Sequence, residues 1–546
     1  MASAARYMPK VGTLASTACI VLAVPPVQWS ALIWVGLVPW LFSLRRCATT
    51  FEAVVQGFWL NLLLGFGGTF WVAHATARYL SVSISVGMLA LIGHSLVHQL
   101  QLVVFGGLYW KTSRGAPPAT FGSLLMVACV YVGLDWLTPK IFQDTLGVLL
   151  WSSGTLRQLA AYGGAMLLTF VILVVNLAVY ASVAAMLDAR RAVPGATARL
   201  ARGGLWLFVS LAAFVSLGAL EEARVRDAMT ASRRILRVGL VQGSVSDDLK
   251  RRSARGDPEA ARATLDTYVR GTRRLLDSPN PPALVLWPET AYPGVFRKPE
   301  SDAQLHLNVA FDRFIADAGV PIAFGAYDRE DRSDRRVLRN AVYLVSPTPG
   351  QQKGQLSPMQ TYHKSILFPV GEYFPFFEET TVRQWLPHSA HLASGEGPRV
   401  LELLRPGEEP LRLGPSICYE DVFASHAQAL ARSKADLLLN VSNDSWFGDD
   451  GAAQWHLMMA SLRSIETGLP QVRATNSGYS AFILPNGELH EVTGFGEETV
   501  RAFNLPMPRL GTTLRSRLGD WFGPFSLAVA ALGLLAGRLR RRDGSA

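Results

Sequence analysis

The sequence predicts a two-part molecule: a multi-span α-helical membrane region joined to an α/β layered domain. Three observations carry this. Apolar runs of near membrane-spanning length fill residues 1–220 and return once near residue 521. Of the 546 residues only 17% are charged and 49% are hydrophobic, with a mean hydropathy of +0.21. A soluble globular chain is nearer a quarter charged. Between residues 235 and 505 the apolar runs shorten to strand length and alternate with amphipathic stretches, the pattern of an α/β layered domain.

The first seven spans are predicted at 11–25, 28–44, 53–74, 82–110, 119–138, 161–187 and 204–220. Spans of about 20 apolar residues match the ~30 Å hydrocarbon core of a bilayer. The first two are short. Arg6 and Lys10 precede an apolar run, as in a signal peptide, but the further spans and the lack of a clear small-x-small cleavage site favour a retained anchor. An eighth span, 521–537, follows the polar block, and Arg538, Arg540, Arg541 and Arg542 come directly after it. Gly65, Gly67 and Gly68 beside Phe70-Trp71 allow close helix approach, for packing or for a gap that admits lipid.

The net charge of +10 is compatible with nucleic acid, but many of the arginines fall in short clusters between spans. Counted from a cytoplasmic N-terminus, one side of the membrane carries Arg45-Arg46, Lys111 with Arg114, Arg190-Arg191 with Arg199 and Arg202, and the C-terminal cluster. Glu221-Glu222 open the loop on the other side. The positive-inside rule then places the polar domain in the periplasm. The expected division is a seven-helix membrane domain over 1–220, a periplasmic catalytic domain over 221–510, and a transmembrane helix with a cytoplasmic basic tail over 511–546.

Within the polar block, strands are predicted at Ile235–Val241, Leu284–Leu286, Pro321–Gly325, Ala341–Val345, Leu437–Val441 and Ala481–Leu484. Pro485-Asn486-Gly487 is a strong hairpin turn. Helices are expected near 258–276, 303–318 and 455–467. Segments 247–257, 328–338 and 348–358 are charged or rich in Gly and Pro and read as surface loops.

Cys19, Cys47 and Cys129 lie in or beside the spans, and Cys418 stands alone in the polar block. None forms a CxxC pair, so neither a zinc site nor a disulfide framework is indicated. Cys418 ends the apolar run Pro415-Ser416-Ile417, which is how a strand presents a nucleophile at its tip. A buried free cysteine would read the same way. Glu289 follows the apolar run Ala283–Leu286, where burial would make it a base strong enough to take a thiol proton. Lys364, in Tyr362-His363-Lys364, can supply a fixed positive donor to an oxyanion. Taken singly, Glu289 also reads as a turn carboxylate and Lys364 as a solvated charge.

Together and in this order, the motifs resemble the nitrilase superfamily, whose catalytic set is Glu, Lys and Cys. With flanking spans they look like its membrane-bound branch, the bacterial apolipoprotein N-acyltransferases. The likeness runs through Val241-Gln242-Gly243, Trp287-Pro288-Glu289, Lys364, Phe368-Pro369, Gly371-Glu372 and Ile417-Cys418-Tyr419-Glu420. It continues through Ser442–Gly448, His456 and Arg473–Gly478. The resemblance implies an α-β-β-α sandwich and a cysteine thioester acyl-enzyme. It implies a phospholipid acyl donor, a diacylglyceryl-cysteine lipoprotein acceptor, an inner-membrane location and a monomer, with no metal, nucleotide or other cofactor. Catalysis falls to Glu289, Lys364 and Cys418. Glu372 would hold the lysine, and Tyr419 and Glu420 would shape the oxyanion loop. Trp446 would sit in a loop beside the site and the lipid, and His456 reads as structural. In the family pattern an aromatic lipid-site residue follows the Leu-Lys after the first-strand Gln-Gly; here Leu249-Lys250 is followed by Arg251. Ser445 and Ala453 are lesser departures.

Two other classes fit less well: a membrane-tethered nitrilase-type amidase with water as acceptor, and a scaffold or transporter with a degenerate nitrilase domain. The intact Glu289, Lys364 and Cys418 set opposes the second. So does the sparseness of ionisable residues in the spans, where His94 and Asp135 are exceptions.

Overall fold

Leu284-Val285-Leu286-Trp287 shows how the polar block is layered. Successive residues of a strand face opposite ways. Leu284 and Leu286 join one buried cluster, whereas Val285 and Trp287 join another. The strand is therefore covered on both faces, which explains its unbroken apolar character. The computed structural model describes residues 7–331, 336–347, 356–375, 391–405 and 407–543.

Among these residues the strands are β1 Ile235–Gln242, β2 Leu284–Leu286, β3 Ile322–Asp331, β4 Arg336–Val345, β5 Met359–His363 and β6 Leu401–Leu403. They continue with β7 Leu411–Ile417, β8 Leu437–Ser442, β9 Gln471–Thr475, β10 Ala481–Ile483, β11 Leu489–His490 and β12 Thr499–Pro506. They form two six-stranded sheets, in the orders β12-β1-β2-β3-β4-β5 and β11-β10-β9-β8-β7-β6. Each sheet has a parallel centre, β1-β2-β3 and β7-β8-β9, with antiparallel strands outside. Val238, Leu240, Leu286 and Leu344 of one sheet and Leu413, Leu439 and Val472 of the other fill the space between them. Helices Pro258–Leu276 and Asp302–Ala318 cover the first sheet through Leu265, Tyr268, Phe311 and Ile315. Helices Ala424–Arg432 and Ala452–Thr467 lie on the other side, giving the α-β-β-α sandwich.

Helix Ala452–Thr467 is buried along nearly its whole length. Its Met458, Met459, Leu462 and Ile465 share one cluster with Leu168, Ile172 and other residues of the membrane helices. The outer layer of the sandwich is thus also the floor on which the membrane region docks.

Helices Ile84–Ser113, Leu156–Arg190 and Ala196–Ala231 are long and apolar enough to cross a membrane. Thr50–Gly68 and Trp71–Leu80 form a pair bent by 57°. Val11–Ala23, Ser30–Arg45, Phe121–Leu137 and Phe522–Ala536 are shorter apolar helices. Each expected span falls on one of these, with local differences. The third bends where Gly67 and Gly68 meet Thr69, whose hydroxyl bonds back to the Gly65 carbonyl at 2.6 Å. The seventh does not stop at residue 220. Glu221 and Glu222 pair with Arg224 and Arg226 one turn on, so the helix runs to Ala231 and feeds β1. A Cβ on Gly65 would fall 2.6 Å from Ser95, which makes that glycine a packing residue.

Two expected loops prove to be regular structure. Asp247–Ala254 is a surface helix capped by Ser246, with acids in its first turn and Arg251 and Arg252 in its last. It has no fully buried residue, and so no apolar periodicity for sequence reading to detect. Of segment 328–338, residues 328–331 and 336–338 extend β3 and β4, paired out to Asp331 and Arg336, and 332–335 lie outside the described residues. Of the third loop, 348–355 lies outside the described residues.

Leu439, on β8, is fully buried between the sheets. Leu439→Ala is expected to lower the stability of the sandwich by about 2–5 kcal/mol, read as a shifted denaturation midpoint with an unchanged slope.

Candidate active site

Three loops leave the strand ends on one edge of the sandwich, and each carries a residue of the expected site. Glu289 lies just past β2. Its loop is held by the bonds Trp287 N–H to Ala323 carbonyl at 2.8 Å and Gly325 N–H to Pro288 carbonyl at 3.1 Å. Gly325 is required here, because a Cβ would stand 2.6 Å from the Glu289 Cα. Lys364 follows β5 and donates its backbone N–H to the Asn340 carbonyl at 2.9 Å. Cys418 follows β7 with φ at +49°. The residue after Glu289, Thr290, also has φ +49°, and Val370, before Glu372, has φ +67°. Left-handed backbone at three non-glycine residues around one site marks strain held in place by the fold.

The side chains meet in a buried charge cluster. Lys364 is only 1% exposed; its Nζ lies 2.8 Å from Glu372 Oε1 and 3.7 Å from Glu289 Oε1. Asn340, on β4, donates from Nδ2 to Glu289 at 2.6 Å and to Glu372 at 3.3 Å. Glu372 also accepts from the Phe368 N–H at 2.8 Å. Burial alone would lower the Lys364 pKa, but the Glu372 and Glu289 carboxylates override it and hold the amine protonated far into the alkaline range. Burial raises the Glu289 pKa against the pull of Lys364. Burial also pushes the Cys418 thiol up; the Glu289 charge adds to this, while Lys364 and the Ser442 hydroxyl oppose it. The resting site therefore couples a neutral thiol with a carboxylate made more basic than usual.

Glu420 is fully buried and clamps two of the loops together. Its Oε1 accepts from Tyr362 Oη at 2.6 Å, Ser365 N–H at 2.7 Å and Ile366 N–H at 3.1 Å, and its Oε2 from Ile417 N–H at 2.8 Å. Tyr419 turns toward the membrane region. Its hydroxyl donates to the Ile141 carbonyl, and its ring packs on Phe142 and Phe368 with centroids 6.2 and 5.1 Å away. Trp446 packs edge-on against Tyr79 at 4.8 Å, and Tyr79 donates to the Gly371 carbonyl at 2.7 Å. Arg251 is exposed, its guanidinium 3.4 Å from Ser81 Oγ, and the structure does not bring it to the cluster. Its neighbour Lys250 comes instead, 3.4 Å from the Glu289 carbonyl and 3.3 Å from Thr290 Oγ1, with its pKa brought down to about 8 by burial.

His456 belongs to a second buried network near Cys418. Its ring nitrogens face Asp421 at 2.7 Å and Asp444 at 3.0 Å. Arg473 donates to Asp421, to Asp444 at 2.9 Å and to Asn440 at 2.6 Å. Burial would lower the His456 pKa, but Asp421 and Asp444 raise it to about 9. Sequence reading gave no role to Asn340, Ser442, Asp421, Asp444 or Arg473. Asn340 was hidden because the expected strand began one residue later; a polar residue inside an apolar strand was the available signal.

The carbon-nitrogen hydrolase family profile matches residues 237–514, and that of the apolipoprotein N-acyltransferase N-terminal domain matches 16–178. An apolipoprotein N-acyltransferase of Gloeobacter violaceus is 30% identical, over 95% of this chain and 92% of its own length. One of Pseudomonas putida is 28% identical, over 97% of each. An amidase structure from Nesterenkonia sp. is 17% identical, covering 53% of this chain and 98% of its own, with a TM-score of 0.36. The sandwich and the matched profile define a nitrilase-superfamily enzyme carried on a membrane protein. The chain belongs to the apolipoprotein N-acyltransferase family and is an acyltransferase.

Because folding raises the His456 pKa from 6.5 to about 9, the folded protein holds that proton more tightly than the unfolded chain. The stabilisation is complete below pH 6.5 and is lost as pH rises through about 9. His456→Gln is expected to be less stable at pH 6 and to lack this alkaline decline, measured as thermal midpoint against pH.

Proposed function

We propose that this enzyme transfers an acyl chain from a phospholipid to the α-amino group of a lipoprotein's N-terminal diacylglyceryl-cysteine, through a thioester on Cys418. The observation that carries the reading is the buried Glu289–Lys364–Glu372 cluster beside a cysteine held at φ +49° on a strand tip. Glu289 accepts the thiol proton as Sγ attacks the ester carbonyl. Lys364, held charged by its two carboxylates, stabilises the oxyanion. Collapse breaks the ester C–O bond, Glu289 returns the proton to the leaving oxygen, and lysophospholipid departs. The free amine then attacks the thioester. Its proton passes by way of Glu289 to the departing thiolate, leaving an amide and a regenerated thiol.

Glu372 and Asn340 act as positioning residues for Lys364 and Glu289, and Glu420 fixes the loops on either side of the oxyanion. Tyr419, Phe142 and Phe368 form an apolar wall between the nucleophile and the membrane region, which favours a lipid substrate and protects the thioester from water. Trp446 and Tyr79 flank the approach to the Glu372 loop. The arginine clusters support an orientation in which residues 221–510 form a periplasmic domain between spans seven and eight; the proposed enzyme is an inner-membrane monomer.

Incubation with phospholipid is expected to add one acyl group to Cys418, read by mass spectrometry. Cys418→Ala should abolish the adduct, Glu289→Gln should block it, and Lys364→Ala should slow it on the order of 10²–10³-fold. A diacylglyceryl-cysteine peptide with a free amine should discharge the adduct to an N-acyl peptide; rapid release of free fatty acid without that amine would make the enzyme a hydrolase.

Topology is checked separately in a background lacking the native cysteines. Asp331→Cys is expected to react with a membrane-impermeant thiol reagent applied from the periplasm, and Gly544→Cys to react only after permeabilisation.

A further inference from the structure

A buried cation outside the catalytic cluster holds the loop that walls the nucleophile. Residues 138–145 connect helix Phe121–Leu137 to the turn Leu146–Ser152. Phe142, at the tip, meets four rings: Trp71 at 5.1 Å, His94 and Phe368 at 6.0 Å, and Tyr419 at 6.2 Å. Ile141 gives its carbonyl to the Tyr419 hydroxyl. The loop therefore bears on the residue after Cys418 and on the segment that follows Lys364. Yet Ile141 and Gln143, on either side of Phe142, are exposed. Apolar contact at one residue between two exposed neighbours holds a loop only weakly.

Lys140 supplies the missing restraint. Its Nζ lies 2.5 Å from Asp135 Oδ1 and donates to the Asp144 backbone carbonyl at 2.6 Å. Asp135 stands in the last turn of the helix before the loop, and Asp144 near the loop's far end. One ammonium thus ties the two ends and closes the segment into a ring. Gln101 also donates to Asp135, at 2.7 Å, and Gln99 to the Asp144 carboxylate, at 3.2 Å. The Lys140 and Asp135 side chains are 5% and 1% exposed. Taking such a pair out of water is costly, and apolar residues in its place often serve stability as well or better. What a hydrogen-bonded pair adds is a single geometry. Ionisable groups at membrane depth are retained for function as a rule, and the geometry fixed here is that of Phe142.

We propose that Lys140 is a positioning residue for the thioester stage: by stapling Asp135 to the Asp144 carbonyl it seats Phe142 on Tyr419 and Phe368 and keeps water from the acyl-enzyme, so that the amine and not water receives the acyl group. The proposal rests on the acyltransferase reading above and deepens it. In the competing leak, water adds to the thioester carbonyl, the C–S bond breaks, the sulfur takes up a proton and a free fatty acid departs. Lys140 touches none of the reacting atoms and acts through the Phe142 ring.

The test follows the full-length protein through two readouts. In the first, Cys418 is acylated by phospholipid and decay of the adduct is timed by mass spectrometry with no amine present. The double substitution Lys140→Met with Asp135→Asn leaves no unpaired buried charge. It is expected to speed hydrolytic decay about tenfold or more while adduct formation changes less than about threefold. Phe142→Ala should speed decay similarly, and combining it with the double substitution should add nothing further, because both remove the same shield. In the second readout, alkylation of Cys418 by iodoacetamide, located by peptide mass spectrometry, should accelerate in the same variants; this needs no acyl transfer. Should the double substitution prevent folding, Asp135→Asn alone weakens the staple to a neutral bond and is expected to move both rates the same way. An adduct whose decay ignores these substitutions, additive effects of the staple and Phe142 variants, or equal losses of adduct formation and shielding would overturn the role of Lys140 while leaving the proposed reaction standing. Faster alkylation in the variants, with no acyl adduct in the unsubstituted enzyme, would overturn the reaction and with it the thioester role, leaving Lys140 as the support of a shield over Cys418.

Discussion

The site depends on one constraint: an ammonium removed from water must be surrounded by carboxylates. Lys364 is 1% exposed, and a buried charge of this kind survives only when paired and hydrogen-bonded. Glu372 and Glu289 meet that demand, and Asn340 ties the two acids together. The consequence is geometric. Strands β2, β4 and β5 and the Phe368–Glu372 loop must all converge on one point, and the left-handed residues Thr290 and Val370 bend two of those loops into place. Strain of about 1–3 kcal/mol per residue is tolerable only where surrounding structure over-determines it.

The same arrangement sets the chemistry. Burial, with the mutual repulsion of the carboxylates added to it, leaves a site in which a thiolate is unfavourable at rest and a nearby carboxylate is unusually basic, against the opposing pull of Lys364. In the proposed reaction such a cysteine becomes nucleophilic only when a carbonyl arrives and Lys364 can share the developing charge. The Asp421–Asp444–His456–Arg473 network near it stiffens the turns after β7 and β8. It also adds the negative charge of Asp444 to the field that Cys418 feels.

The membrane region and the sandwich are not merely tethered. Helix Ala452–Thr467 gives one face to the second sheet and another to the membrane helices, and Ala165 N–H donates to Glu466 Oε1 at 3.3 Å across that boundary. Trp71, Tyr79 and Phe142 from the membrane region reach Phe447, Trp446 and Tyr419 around the site. A site walled partly by membrane helices suits the lipid substrates proposed for it.

The elements with strong local signals were legible in the chain itself. β2 and helix Pro258–Leu276 fall where the apolar patterns put them, as does the turn at Gly487, and the apolar spans register on the membrane helices. Glu289 and Cys418 stood out because each ends an apolar run, and Lys364 through the motif resemblance that joins the three. What tertiary structure alone decided is which charges are buried and what they face. Arg251 and Lys250 are adjacent in sequence, yet one points to the surface and the other to Glu289, because a one-residue step on a helix turns the side chain by about 100°. Asn340 and Arg473 gain their roles only through partners tens of residues distant. Composition and periodicity determine that the chain enters a membrane and folds an α/β domain, because hydrophobic burial follows from local pattern. The pairing of buried charges depends on three-dimensional proximity, which local pattern does not encode.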